Sequence, residues 1–216
     1  MNLRNRRIFM SLFGVIVCAI SVGIFKIAAL GVDPFQSFVS GLHRVFPISF
    51  GTLYTIVNVV LLTFSLVVDR HNIGIATFIN LFLLGYITEF SYSFFQTLLP
   101  DPSIIVRFIC LILAVIILCF SSAFYMTANL GISTYDAIAN VMAYKWKIGK
   151  FKYCRIATDF VCVITGTLLF LLGGGKWSEV PTLVGIGTII TAFFMGPLIE
   201  FFNETAARPF LSHGQK

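Results

Sequence analysis

Seven polar side chains stand in stretches of chain that are otherwise apolar or amphipathic, and their types suit holding an ion or small solute rather than breaking bonds. Asp159 follows Arg155 by one helical turn inside FKYCRIATDFVCVITGTLLFLL, a spacing at which the two charges neutralise each other. Asn58, one turn after Tyr54, holds the corresponding place in an earlier apolar stretch. Glu89 and Glu200 close two stripes of small residues at helical spacing: Gly74, Thr77, Leu81, Gly85, Thr88 in one, and Gly185, Thr188, Ala192, Gly196, Ile199 in the other. Asp33 and Asp136 belong to two short amphipathic segments. A carboxylate or guanidinium at the centre of a bilayer costs about 3 kcal/mol on insertion scales, so such residues are candidates for a solute or ion path. The structural alternatives stay open: a satisfied ion pair at Arg155 and Asp159, and interfacial or hydrogen-bonding glutamates, Glu200 above all because Asn203 and Glu204 follow it.

Nothing in the chain has the pattern of a catalytic centre. Gly173-Gly174-Gly175-Lys176 resembles a phosphate loop only in its last letters, because Trp177 stands where a Ser or Thr would bind magnesium. His43, His71 and His213 are scattered, and Cys18, Cys110, Cys119, Cys154 and Cys162 have no CxxC spacing. The expectation is a protein that is not an enzyme, with no metal and no cofactor.

The elements that must position these residues are membrane-spanning helices. With 58% hydrophobic residues, 11% charged and a mean hydropathy of +0.95, the chain has the composition of a polytopic membrane protein. Apolar segments near 8 to 30, 51 to 68, 73 to 99, 103 to 129, 153 to 172 and 181 to 202 are each long enough to cross. The first is too long for the apolar core of a signal peptide. With the N-terminus inside, Arg4, Arg6, Arg7, Arg70, Lys145, Lys147, Lys150, Lys152, Arg155, Arg208 and Lys216 are cytoplasmic, against Arg44, Arg107 and Lys176 outside. That asymmetry places both termini in the cytoplasm. Lys26, within the first span, is expected to snorkel outward past Gly31. The net charge of +6 suits loops beside anionic lipid, so the partners implied are the bilayer, a small-molecule or ion substrate and further copies of the chain, with no nucleic acid.

The spans form an internal repeat, 8 to 99 and 103 to 204, within a single integral membrane domain of residues 1 to 216. GIATFINLFLLGYITEF (74 to 90) aligns with GIGTIITAFFMGPLIEF (185 to 201), and Leu30-Gly31-Val32-Asp33-Pro34-Phe35 with Leu130-Gly131-Ile132-Ser133-Thr134-Tyr135. Three spans per unit is an odd number, so the expected fold is all-α with six transmembrane helices in two inverted three-helix repeats. The small-residue stripes lead to the expectation that spans three and six pack near each other. After its first span each repeat carries a short amphipathic helix, capped by Asp33 with Pro34 next, or by Ser133 with Asp136 three residues on. Gly31 and Gly131 suit left-handed turns before these helices. A position flat in the headgroup region is preferred over a re-entrant half-helix, because the breaks come late in their spans.

The Leu-Gly-Val-Asp-Pro-Phe block, its Leu-Gly-Ile-Ser-Thr-Tyr-Asp echo, the Arg155-to-Asp159 span and the Gly-Pro-Leu-Ile-Glu-Phe ending together resemble the YczE branch of the YczE/YyaS/YitT families of bacterial integral membrane proteins. Unlike YitT-type proteins, the chain is expected to lack a soluble C-terminal domain. The resemblance implies the bacterial plasma membrane and names no substrate. The expected function is a small-solute permease or exporter, and the alternative is a non-transporting accessory or scaffold protein.

Overall fold

The computed structural model describes residues 3 to 212. His213 and Lys216, counted above among the histidines and the basic residues, lie outside the described residues. Among the described residues every regular element is helical. Six helices are long and apolar enough to cross a membrane, and the chain is a multi-pass membrane protein. Five of them are α1 (Leu3–Ala28), α3 (Phe50–Val68), α4 (Ile75–Leu98), α5 (Ile104–Thr127) and α7 (Phe151–Leu172); shorter α2 (Pro34–Val45) and α6 (Thr134–Asn140, prolonged by a π-helical turn Val141–Lys145) stand between them. The sixth, α8 (Ile186–Phe202), runs on through another π-helical turn, Asn203–Ala207, to Arg208–Ser212. It is longer at its C-terminal end than the apolar run alone indicated, because Arg208 pairs with Glu200 and Glu204 and so neutralises charge along the extension.

α1 and α5 form the central pair, with α4 against α1 and α3, and α8 against α5. Small residues permit the crossing: a Cβ on Gly14 would stand 2.8 Å from the Ser121 carbonyl oxygen. The Arg6 guanidinium donates to the carbonyls of Phe210 and Leu211 at 3.2 Å, so the two described chain ends meet at one end of the bundle. Spans three and six do not pack on each other as expected. Each lies on the outer flank of the first span of its own half, since the α1–α5 crossing fills the space between them.

The chain makes one distinctive joint twice. After α1, Ala29 (φ 50°) and Gly31 (φ 95°) turn the backbone; after α5, Asn129 (φ 50°) and Gly131 (φ 111°) do the same. The carbonyl of Leu30 accepts from Gly187 N–H at 2.8 Å, and that of Leu130 from Ala76 N–H at 3.0 Å. Thr188 Oγ1 donates to the Val32 carbonyl and Thr77 Oγ1 to the Ile132 carbonyl, each at 2.7 Å. Gly74 and Gly185 are required here because a Cβ would stand 2.0 Å from the Leu130 oxygen and 2.6 Å from the Leu30 oxygen.

Beyond each joint the amphipathic helix does not lie flat across the end of the bundle, which corrects the interfacial preference. α2 runs along the second half of α7: a Cβ on Gly41 would stand 2.2 Å from the Gly166 carbonyl, and Gly173 abuts Arg44. α6 runs along the second half of α3, from Thr134 beside Asn58 to Lys145, whose ammonium bonds to the Val68 carbonyl. The physical reason is that the apolar faces of α2 and α6 are matched by spanning helices with glycine or small residues at the contact, so burial against protein replaces burial in headgroups. Each half-helix therefore begins midway along its partner and runs to a different end.

Candidate functional site

The two half-helices meet by their N-termini. Asp33 Oδ1 accepts from the amides of Phe35 (3.1 Å) and Gln36 (3.2 Å), as its capping position requires. Ser133 Oγ accepts from Asp136 N–H at 3.1 Å and donates to Asp136 Oδ2 at 2.6 Å. One residue into each first turn, Phe35 and Tyr135 stack, ring centroids 4.8 Å apart. Both rings are buried, so the stack forms the contact between the two helix starts.

Around it lies a continuous polar cluster. Tyr135 Oη donates to Asp159 Oδ1 at 2.6 Å, and Arg155 Nε donates to the same oxygen at 3.2 Å. Arg155 Nη1 also pairs with Asp136, and the guanidinium lies 4.4 Å from the centre of the Tyr135 ring. The Arg155, Asp136 and Asp159 side chains are 28%, 35% and 13% exposed, so the triad is partly buried. Asp33 sits within electrostatic reach of Arg155 and Asp159. On the α3 side Thr134 Oγ1 donates to Asn58 Oδ1 at 2.5 Å and Asn58 Nδ2 to the Tyr54 carbonyl at 2.7 Å. Tyr54 Oη donates to Asn80 Oδ1 at 3.1 Å, and Asn80 opens the π-helical turn Asn80–Leu84 of α4, a wide turn that re-aims side chains.

Of the seven residues singled out from sequence, Asp33, Asn58, Asp136, Arg155 and Asp159 thus come together. Glu89 and Glu200 do not join them. Glu89 accepts from Gly51 N–H at 3.0 Å and so caps α3, while Glu200 pairs with Arg208 at 2.8 Å and accepts from Asn203 Nδ2 at 3.1 Å near the chain ends. Arg155 and Asp159 are also not an isolated pair, and Glu204–Arg208 is a second i,i+4 pair within a spanning helix. Lys26 does not snorkel outward: its ammonium lies 3.1 Å from the centre of the Phe50 ring, where a cation–π contact replaces water.

Sequence reasoning passed over Tyr135, Thr134 and Asn80. Tyr135 was legible only as one more apolar position of α6, since a hydroxyl that reaches across to another helix leaves no trace in spacing. Gln36 Oε1, Ser37 Oγ and Tyr125 Oη are buried near this region without a hydrogen-bond partner. No group of three or more His, Cys, Asp or Glu that could hold a metal occurs among the described residues.

A six-span helical membrane protein in which two half-helices converge N-terminus to N-terminus on a charged and hydroxylated cluster is the class that fold and site define. The chain belongs to a family of unknown function, DUF6198, which it matches over residues 5–204. It is similar to an uncharacterized protein of Haemophilus influenzae (strain ATCC 51907 / DSM 11121 / KW20 / Rd), with 22% identity over 199 residues that cover 91% of this chain and 83% of that protein. No solved structure matches.

Proposed function

We propose that the protein is a small-solute permease or exporter of the bacterial plasma membrane, not an enzyme, built from two inverted repeats and working by alternating access around the Asp33–Asp136–Arg155–Asp159 cluster, with Asn58 on its path. Its resemblance to the YczE branch, set out above, belongs to the same proposal. Half-helices whose positive ends meet inside a bundle are a recurrent way of binding a polar solute in a low-dielectric setting. Glu89 and Glu200 are then gate residues of the path, one at each end, rather than ligands of the solute.

The observation that supports this reading is a difference in packing between the two aligned stretches of sequence. In the first half span three closes on span two: a Cβ on Gly85 would meet Tyr54 Cβ at 2.8 Å, Thr55 Oγ1 donates to the Leu81 carbonyl at 3.4 Å, and Glu89 caps Gly51. In the second half Gly196, the counterpart of Gly85, has no atom within 4 Å of a Cβ, and Ala192, the counterpart of Leu81, is exposed. Gly196 therefore lacks the close packing that Gly85 has in this conformation. One sequence pattern in two packings is what alternating access requires, the second conformation being reached when the halves exchange roles. The unpartnered stretch lies toward the end that bears the chain termini, so with both termini in the cytoplasm, as this reading has it, the conformation is open to the inside.

Crosslinking tests it. Ile156 and Ala192 are the counterparts of Thr55 and Leu81. Ile156→Cys with Ala192→Cys is expected to form a short crosslink only in a conformation other than this one, and to abolish solute flux in proteoliposomes when formed. A pair that never crosslinks while flux persists would refute alternating access; absence of flux for any solute class, with a rigid gap, would favour the accessory-protein alternative. For the orientation, Lys176→Cys is expected to be labelled by an impermeant maleimide from outside intact cells, and Lys147→Cys only after permeabilisation; the reverse pattern would overturn it.

A further inference from the structure

α3 and α7 are splayed apart by the two half-helices and leave a cleft of about 490 Å³ between them. Its back wall is the Phe35–Tyr135 stack, and its sides include Leu61 on α3 and Ala157, Val161 and Thr165 on α7. Almost no polar atom lines it. It opens on the outer surface of the bundle, where Val161 of α7 is 61% exposed. The volume lies within the range of sites that hold a small ligand. Its extent along α7, from Ala157 to Thr165, is about 12 Å at the helical rise.

We infer that this cleft is a binding site for one acyl chain of an anionic phospholipid from the surrounding leaflet. An apolar cleft open toward hydrocarbon takes a chain, not a polar solute, because a polar solute would leave its groups unpaired there. The choice of headgroup follows from charge. Toward the end bearing the chain termini the cleft leads past Met142 to Lys145, Lys147 and Lys150, with Tyr144 and Trp146 beside them, all exposed. Basic and aromatic residues together mark a headgroup plane and favour a net-anionic headgroup over a zwitterionic one. A chain seated there would press on the ring whose hydroxyl holds Asp159, so lipid occupancy and the polar cluster share one wall. The inference needs the chain to be in a membrane and does not depend on its transporting anything.

The test is photolabelling of the purified full-length protein in nanodiscs, using phosphatidylglycerol with a diazirine near the middle of one acyl chain. Labelling is expected at Leu61, Val161 and Thr165, with competition by unlabelled phosphatidylglycerol and not by phosphatidylcholine, and it is expected to be lost in Ala157→Phe, whose ring fills the cleft. Ile112→Phe, on the bilayer face of α5, is expected to leave labelling unchanged. Label spread evenly over all bilayer-facing helices, or equal competition by both headgroups on the unaltered protein, would overturn the site and leave annular lipid only. A Val161→Cys crosslink between two copies that excludes the lipid would overturn it in favour of a homo-oligomer contact. Because headgroup competition is read on the unaltered protein, the outcome stands even where Ala157→Phe does not fold.

Discussion

Replacing Gly41 by valine is expected to unseat α2 from α7 and lower the thermal midpoint in detergent by roughly 5–10 °C, which corresponds to about 3 kcal/mol of overpacking. A Cβ at this position would stand 2.2 Å from the Gly166 carbonyl oxygen, and both partners there are backbone, which has no rotamer to relieve the clash. The half-helix is held along a single line of contact in which Gly166 in turn abuts Ser37 and Phe38, so moving one point moves the whole helix. Solute flux is expected to fail with stability, because Asp33 caps this helix and would be carried off the cluster. Gly85→Val is expected to behave similarly against Tyr54, whereas Gly196→Val, facing open space, is expected to leave the midpoint unchanged. The informative comparison is therefore Gly85 with Gly196, which align in the segments 74 to 90 and 185 to 201. Equal loss at both would mean that the second half closes in detergent, and equal tolerance at Gly41 and Gly196 would mean that α2 is not docked on α7.

Arg155→Gln is the second large effect. Arg155 bridges Asp136 and Asp159, with Asp33 nearby, so removing the cation leaves carboxylates facing one another in a partly buried site; a loss of about 3 kcal/mol or more is expected, seen as poor expression and an aggregated elution profile. Asp159→Asn is expected to be milder, because Arg155 keeps Asp136 and the Tyr135 hydroxyl can still donate to the amide oxygen. Regarded as a pair, Arg155→Gln with Asp159→Asn should cancel, yet Asp136 would remain uncompensated. Full rescue of folding is therefore expected only in the triple variant that adds Asp136→Asn, and that variant is expected to fold without transporting. A triple variant that both folds and restores flux, or the phenotype of a deletion strain, would make the cluster purely structural.

Much of this architecture was legible in the chain, because a bilayer imposes strict rules on sequence. Six apolar lengths and the Asp33 and Ser133 caps follow from local needs: hydrocarbon thickness and unpaired amides at a helix start. The joints at Gly31 and Gly131 were equally readable, since a positive φ selects glycine whatever surrounds it. What only the tertiary structure decided is which surfaces pair. An amphipathic helix has the same pattern whether its apolar face meets headgroups or another helix, so nothing in α2 or α6 announced that each would lie along a span of the opposite half. Nor could spacing tell Gly85 from Gly196, two copies of one pattern that find a partner in one half and open space in the other, because that choice belongs to the conformation and not to the residue. The polar cluster is of the same kind: Asp33, Asn58, Asp136 and the Arg155–Asp159 pair are far apart in sequence, and only the convergence of two helix ends brings their polar groups close enough to act as one site.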